Sequence, residues 1–458
     1  MLSYPTTTKD FNMDKTNKKP LSGGKLNTQA AVCTEIWGAV VNEVFGQKNV
    51  ADRALARFLR ERKELGSRDR RFISETIFSF FRYWGVLRFL LPEEEAAQLA
   101  ADGDVSKLSL LDTSRILLAA NMLCHAPDAI PEAVSVWCNH LRIKLPGMWD
   151  FSSAGAFFKV EPQLWTVNNL LPDWVKDELD PAVNFDSVIT AVQTRPPTRL
   201  RAQSNVEELM AELLRDGVPT IRHRKCLQAL AVLDSRINLY TLDAFKKGRF
   251  EVQDLASQLI GLVCAPQPGE RWWDACAGAG GKSLQLADLM HRKGTLVASD
   301  IREYKLADLK LRARRSGFPN ITTKPWDGKK LSPREQARFD GVLVDAPCSC
   351  SGTWRRNPDG RWLMTPAEIE ELAALQTTVL KHASGGVKPG GVLVYATCSM
   401  FAKENLPVVQ NFLAASPDFE LENFVNPLNG VNAPGWVLAD MLENNSDSMF
   451  AARLRRKK

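Results

Sequence analysis

The sequence predicts three folded parts: an N-terminal all-α bundle, a small α+β domain and a C-terminal α/β domain on a doubly wound parallel sheet. Three observations carry this. From about Thr28 to His125, apolar residues recur at three- and four-residue spacing without strand signals. From about Val160 to Phe250, short strand and helix patterns mix. From Gly248 onward, strand, small-residue turn and helix follow one another repeatedly, as parallel strands with crossover helices require. The expected boundaries are 1–28 for a disordered extension, 29–150 for the helical domain, 151–250 for the α+β domain and 251–458 for the α/β domain.

Composition agrees. The 458 residues are 45% hydrophobic and 24% charged, ordinary for a soluble chain of two to four domains. Nine cysteines, an odd number spread along the chain, indicate free thiols in a reducing compartment, and the expected location is the cytoplasm. No apolar run is long enough to span a bilayer, and the first residues lack a secretory pattern, so no membrane partner is expected. The net charge of +6 is compatible with a polyanionic partner.

Within the first part, the polar residues to about 28 read as a solvated tail. The stretches AAVCTEIWGAVVNEVF, RALARFLRER and RRFISETIFSFFRYWGVLRFLL read as helices, and helices between Leu108 and Leu141 complete the bundle. Ser67 is a candidate cap for the third. Arg68, Arg70 and Arg71 oppose the helix dipole there, which RNA phosphate or simple solvation would explain. In the second part, Thr198–Ala202 reads as a strand, Val206–Leu214 as a helix ended by Gly217, and Ile237–Leu242 as a further strand.

The third part carries the chemistry. Arg271–Ala275 reads as a strand, followed by Cys276-Ala277-Gly278-Ala279-Gly280-Gly281-Lys282-Ser283 and a helix to about His291. Thr295–Ser299 is the next strand and ends at Asp300; Ile321–Lys324 follows. Gly341–Val344, a buried strand, ends in Asp345, with Pro347, Cys348, Ser349 and Cys350 beyond it. After a helix over Pro366–Ala383, the strand Gly391–Ala396 leads to Thr397-Cys398-Ser399, and Met449–Leu454 is the last strand. Glycines between a strand and a helix let the backbone approach a ligand. Three ligand types compete. A P-loop fits Gly281-Lys282-Ser283 but has Cys276 where its first Gly belongs. A dinucleotide turn would need GxGxxG. An S-adenosylmethionine site gives Asp300 a task, accepting the ribose hydroxyls.

Cys348 and Cys398, each after a strand, can meet in one crevice. A thiolate adding to carbon 6 of a pyrimidine makes carbon 5 enamine-like and able to attack an electrophilic methyl. Asp345 beside the ring, if protonated or through its hydrogen bonds to the ring edge, would stabilise the added negative charge, and a second thiol would assist release. Two buried, inert cysteines are the alternative. A metal site is not expected: Cys348-Ser349-Cys350 lacks a CxxC pair and has no nearby His.

On these segments the chain resembles the RNA 5-methylcytosine methyltransferase family of the bacterial ribosomal RNA small-subunit methyltransferase B type. Further matches are Arg68-Asp69-Arg70-Arg71-Phe72, Arg195-Pro196-Pro197, Val252–Gln258, Arg356 to Trp362 and Tyr395–Ser399. The resemblance implies a Rossmann-like S-adenosylmethionine-dependent methyltransferase domain with Cys398 as nucleophile and Cys348 assisting release. It implies that Cys276 to Lys282, Asp300, Asp327 and Asp345 surround S-adenosylmethionine, with Asp345 also facing the cytosine. It further implies an antitermination-factor-like helical domain and a small domain that grip RNA, ribosomal RNA foremost and transfer RNA as the alternative; a monomer is expected. Ala279 stands where the family commonly has Pro, Lys305 where Arg is common, and Lys403 where an acid often precedes Glu404-Asn405. Cys350 has no assigned role. The rival readings are a non-catalytic RNA-binding assembly factor, against which both cysteines speak, and a P-loop NTPase.

Overall fold

A computed structural model describes residues 21–234 and 237–458. Most of the expected extension, residues 1–20, lies outside them. The remainder departs from expectation: a helix begins at Gly23, because Leu26 already packs on the helical core. The chain forms two compact units, one of residues up to Asp173 with Asn357–Leu363, the other of Trp174–Arg356 and Met364–Lys458. The break between them falls after Asp173 rather than at 150, and none falls at 250.

The described elements of the first unit are helical: Gly23–Val41, Ala51–Glu61, Ser67–Leu87, Glu93–Asp102, Leu110–Cys124, Val134–Leu141 and Phe151–Phe157. Trp37 meets Phe80 edge-on at 5.3 Å, within a core that Trp165 and Leu170 join, which is why residues 151–173 belong here. The cap of Ser67–Leu87 is Gly66, whose N–H donates to Asp69 Oδ2 at 3.2 Å. The neighbouring arginines have partners inside the chain. Arg70 donates to the carbonyls of Leu59, Arg62 and Leu65, closing the C-terminus of the preceding helix. Arg68 pairs with Glu132 at 3.1 Å and Arg71 with Glu75 at 2.7 Å. In Asn357–Leu363, Asp359 Oδ2 accepts from Ala51 N at 2.9 Å, and buried Arg361 donates to the carbonyls of Arg82 and Leu170.

The second unit opens with a small antiparallel sheet. Strands β1 (Arg199–Ala202), β2 (Thr220–Arg222), β3 (Ala229–Val232) and β4 (Phe250–Val252) lie in the order β2-β3-β1-β4, with the helix Val206–Arg215 packed on them. Ile237–Leu242, expected as a strand, instead contains a 3-10 turn at Leu239–Thr241, capped by the Asn238 side chain. Strand β4 crosses the expected boundary. Buried Arg201 then reaches beyond it, to Gln253 at 2.7 Å and Asp288 at 3.2 Å. Burial lowers this guanidinium to about 10, while the Asp288 carboxylate pulls it back up.

The larger sheet contains β5 (Arg271–Asp274), β6 (Thr295–Ala298), β7 (Ile321–Thr323), β8 (Phe339–Asp345), β9 (Val387–Thr397) and β10 (Phe419–Leu421). A separate ribbon pairs β11 (Phe424–Val425) with β12 (Asn432–Ala433); β13 (Trp436–Leu438) and β14 (Phe450–Arg456) complete the sheet. Its order is β10-β14-β9-β8-β5-β6-β7. Strands β5 to β9 are mutually parallel, whereas β14 runs antiparallel against β9. The sheet is thus mixed rather than wholly parallel.

Alternate residues serve two cores. Trp272, Leu343 and Val394 pack with the helices Leu255–Cys264 and Gly281–Leu289. Trp273, Val342 and Leu393 pack with Pro366–Ser384 and Leu406–Ala415. This two-faced burial is why β8 and β9 read as unbroken apolar runs. It also lines up the carboxyl ends of the parallel strands, in the order β9, β8, β5, β6 and β7.

Candidate active site

That edge carries the chemistry-bearing residues in sequence: Cys398 after β9, Asp345 and Cys348 at β8, the Gly-rich turn after β5, Asp300 after β6 and Asp327 after β7. The structure brings the first four groups together. Cys348 Sγ and Cys398 Sγ are 3.3 Å apart. Cys350, on an exposed turn, brings its sulfur within 4.8 Å of both. Its left-handed backbone, φ 56°, turns the thiol back toward the strand ends. The expectation that Cys348-Ser349-Cys350 lacks a partner group is thereby revised, since Cys398 supplies a third sulfur from another strand.

The two thiol-bearing turns are bound to each other. Gly352 N–H donates to the Cys398 carbonyl at 2.8 Å, and Ser448 N–H donates to the Gly352 carbonyl at 2.9 Å. A Cβ on Gly352 would stand 2.1 Å from the Ser448 carbonyl oxygen, so only glycine permits this approach. Beneath lies Glu404, fully buried. Its Oε1 accepts from Ser349 N and Gln376 Nε2, each at 2.8 Å, and its Oε2 accepts from the hydroxyls of Ser349 and Ser399. The acid thus holds the residue after Cys348 and the residue after Cys398. Asn405 extends the grip, donating to the Ser399 carbonyl at 3.2 Å and accepting from Thr397 Oγ1 at 2.7 Å. The sequence reading had given Glu404 no role; an acid six residues after a candidate nucleophile was the available signal.

The thiols share protons unequally. Hydrogen bonds from Cys348, then Cys398, push the Cys350 thiol well down. Donation to Cys350, then to Cys398, holds Cys348 well up. Cys398 accepts from Cys348, which lowers it, but its bond to Cys350 and its burial prevail and hold it up. Burial raises the Cys276 thiol strongly.

Lys282 Nζ donates to Asp345 Oδ2 at 2.7 Å, joining the Gly-rich turn to β8. Burial pulls the ammonium down, but the Asp345 carboxylate outweighs it and the net shift is upward. Ser283 is buried and donates to Asp274 Oδ2 at 2.6 Å. That hydroxyl is committed to Asp274 rather than facing a ligand, which speaks against the P-loop reading. The turn itself is shaped by backbone bonds: Ala277 N to the Ser299 carbonyl at 2.7 Å and Gly280 N to the Ala277 carbonyl at 2.9 Å. Arg312 braces the Ala279 carbonyl at 2.7 Å.

Asp300 Oδ2 accepts from Gly278 N at 2.8 Å, and Arg302 forks onto both oxygens at 2.9 and 3.1 Å. Burial alone would raise this carboxyl; the Arg302 and Gly278 donors hold it below the usual range. Gly278 has φ 53°, and the space where its Cβ would stand is open. An open cradle beside a buried acid fits a ligand bearing vicinal hydroxyls. Asp327 is placed apart, exposed after β7, its carboxylate held by Lys329 at 2.6 Å.

The family profile described as 16S rRNA methyltransferase RsmB/F matches residues 261–455. The chain is 33% identical over 296 residues to ribosomal RNA small subunit methyltransferase B of Klebsiella pneumoniae, covering 63% of this chain and 67% of that protein. It is 32% identical over 256 residues to the probable ribosomal RNA small subunit methyltransferase B of Bacillus subtilis, covering 54% of this chain and 57% of that one. The matches thus span between about half and two thirds of those relatives. The fold is also that of the crystal structure of PH0851, with a TM-score of 0.72 at 23% identity over 96% of this chain and 100% of that one. With this identity and this strand-end arrangement, the chain belongs to the RsmB/F family of 16S rRNA methyltransferases.

Proposed function

We propose that the protein methylates carbon 5 of cytosine in RNA, with ribosomal RNA of the small subunit as the substrate and S-adenosylmethionine as the methyl donor. The observation that carries this is the pair of thiols 3.3 Å apart beside the Lys282–Asp345 ion pair, one strand from an open Gly-rich cradle. The Cys398 thiolate adds to carbon 6 of a flipped-out or single-stranded cytosine, and carbon 5 becomes the nucleophile. S-adenosylmethionine, when bound, supplies the electrophilic methyl. Cys276 to Lys282 would line its binding turn and Asp300 would accept its ribose hydroxyls, with Asp327, exposed after β7, as a further acid near it. Asp345, held by Lys282, hydrogen-bonds the ring edge, and in its protonated form it offsets the negative charge that addition creates. After transfer a base takes the carbon-5 proton, the carbon 6–sulfur bond breaks with its electron pair returning to Cys398, and Cys348 assists that release.

The helical unit is read as antitermination-factor-like, and it and the small sheet hold the RNA; the chain acts as a cytoplasmic monomer. Among the described residues no helix is long and apolar enough to cross a membrane. The test is bisulfite sequencing of total RNA from cells with and without the gene. One protected cytosine in the small-subunit RNA, lost on deletion, is the expected result. An unchanged pattern in ribosomal RNA with a lost site in transfer RNA would reassign the substrate.

A further inference from the structure

The third sulfur is the feature that methyl transfer leaves unused. Cys348, Cys350 and Cys398 form a group of potential metal ligands whose sulfurs all lie within 4.8 Å of one another. A zinc ion binds thiolates at about 2.3 Å, so three sulfurs around it stand about 4 Å apart. The nearest pair here, at 3.3 Å, needs only a small opening to reach that spacing. The turn is built for this convergence. Ser349 points its hydroxyl into the buried Glu404 network, and the left-handed conformation at Cys350 brings that thiol back to within 3.5 Å of the Cys348 carbonyl. The outer-shell bonds to Ser349 and Ser399 fix both flanking turns, as the partners of metal ligands commonly do. Cys350 is exposed, which gives an ion an entry path and leaves a fourth position for water. An all-sulfur donor set selects a thiophilic ion over magnesium or calcium.

We infer that Cys348, Cys350 and Cys398 form a three-thiolate site for Zn²⁺, and that its occupation withholds Cys398 from cytosine. Binding releases the protons that the three thiols carry, and three sulfur–metal bonds form without any change of oxidation state. The metal site stands on the sulfur geometry alone; the blocking of methyl transfer rests in addition on the proposed role of Cys398.

The probe is Cd²⁺, whose bonds to thiolate absorb in the ultraviolet. The reduced full chain is titrated and the sulfur-to-metal charge-transfer band, the stoichiometry and the proton release are followed. One ion per chain with a three-thiolate band is the expected result. Cys350→Ser should lose about a third of the band and weaken binding by at least roughly 10–100-fold, the range that loss of even an outer-shell partner produces. Cys350→Asn, which tolerates the left-handed backbone, is the second variant and keeps the test open if the serine variant folds poorly. Binding unchanged in both variants, or no charge-transfer band in the parent, overturns the site. Zn²⁺ should then inhibit methyl transfer by the parent, while Cys350→Ser, measured against its own metal-free rate, resists the same concentration. If Cd²⁺ binds through three thiolates but no methylation is found in metal-free protein, the proposed function fails and the metal site stands.

Discussion

Lys282 Nζ and Asp345 Oδ2 lie 2.7 Å apart, and this pair is the physical link between the Gly-rich turn and the acid that ends β8. Both side chains are largely shielded, at 13% and 26% exposure. Removing the cation alone leaves a partly buried carboxylate without its partner. Lys282→Met should therefore cost about 2 kcal/mol of stability, below the full penalty of a deeply buried pair because some water reaches it. Lys282→Met/Asp345→Asn, which removes both charges, should recover part of that loss. Urea unfolding of the two variants measures the difference, and equal losses would mean that the pair is not coupled.

Asp300 is held by Arg302 and by the Gly278 N–H, so a bound ribose has to compete with a side chain that is itself half exposed. Asp300→Ala should weaken S-adenosylmethionine by about 1–3 kcal/mol, the cost of leaving buried polar groups unpaired. Arg302→Ala frees the carboxylate and should leave the affinity equal or higher. Calorimetry separates the two, and a parallel fall in both variants would show that Asp300 acts only through Arg302.

Asp274, at the end of β5, has one oxygen bound to Ser283 and the other without a partner, in a fully buried position. Burial, followed by the Asp345 charge, lifts its carboxyl from 3.8 to about 7, against the opposing pull of Ser283 and Lys282. A folded value above the unfolded one means that the folded state binds the proton more tightly. The stabilisation is complete below pH 4 and is lost as pH rises through 7. The slope across that window is about 1.4 kcal/mol per pH unit for one proton. Asp274→Asn should remove this contribution, so the difference in unfolding free energy between variant and parent should grow in the variant's favour from pH 4 to pH 7. A constant difference would mean that Asp274 is ionised throughout.

Much of this site was legible because strand burial leaves a direct signature. The run Gly341–Val344 and the run Gly391–Ala396 are apolar on both faces, and a turn of small residues after each marks the carboxyl edge. The direction of β14 was not legible, since an antiparallel strand in a two-faced sheet carries the same apolar pattern. Phosphate contact and simple solvation both explain Arg70 from sequence; its partners are the carbonyls of Leu59, Arg62 and Leu65, at and just beyond the end of the helix before, which only folding brings near. Glu404 contacts Ser349 across 55 residues of sequence, and no local pattern announces such a bond. Cys350 has no role that the sequence assigns, and its convergence on the other two sulfurs depends on a left-handed turn.

Glu404 satisfies four donors at once: the Ser349 N–H and hydroxyl beside Cys348, the Ser399 hydroxyl beside Cys398, and the Gln376 amide from the helix Pro366–Ser384. Glu404→Ala strands several buried groups and should cost about 3 kcal/mol or more. Glu404→Gln keeps the shape but turns an amide toward donors, and should cost less. If the acid positions the thiols, Glu404→Gln should also slow adduct formation while leaving S-adenosylmethionine affinity unchanged. Equal loss of affinity and rate would reduce Glu404 to a general stabilising role.

The two neighbouring sulfurs should be separable by mutation. Cys398 follows β9 and is tied through its carbonyl to Gly352, so its side chain is fixed toward Cys348. As the group that attacks carbon 6, it cannot be replaced without losing the first covalent step. Cys398→Ala should abolish methylation and form no RNA adduct. Cys348 acts after methyl transfer, when the carbon-5 proton leaves and the carbon 6–sulfur bond breaks. Cys348→Ala should still attack and methylate once but fail to release, and the protein should accumulate as an RNA adduct that survives denaturing electrophoresis. Removing Cys348 also removes a hydrogen bond that lowers Cys398, so attack by this variant should be slower below neutral pH than above it. An adduct from Cys398→Ala and none from Cys348→Ala would exchange the two roles, and full turnover by both variants would exclude covalent catalysis at this pair.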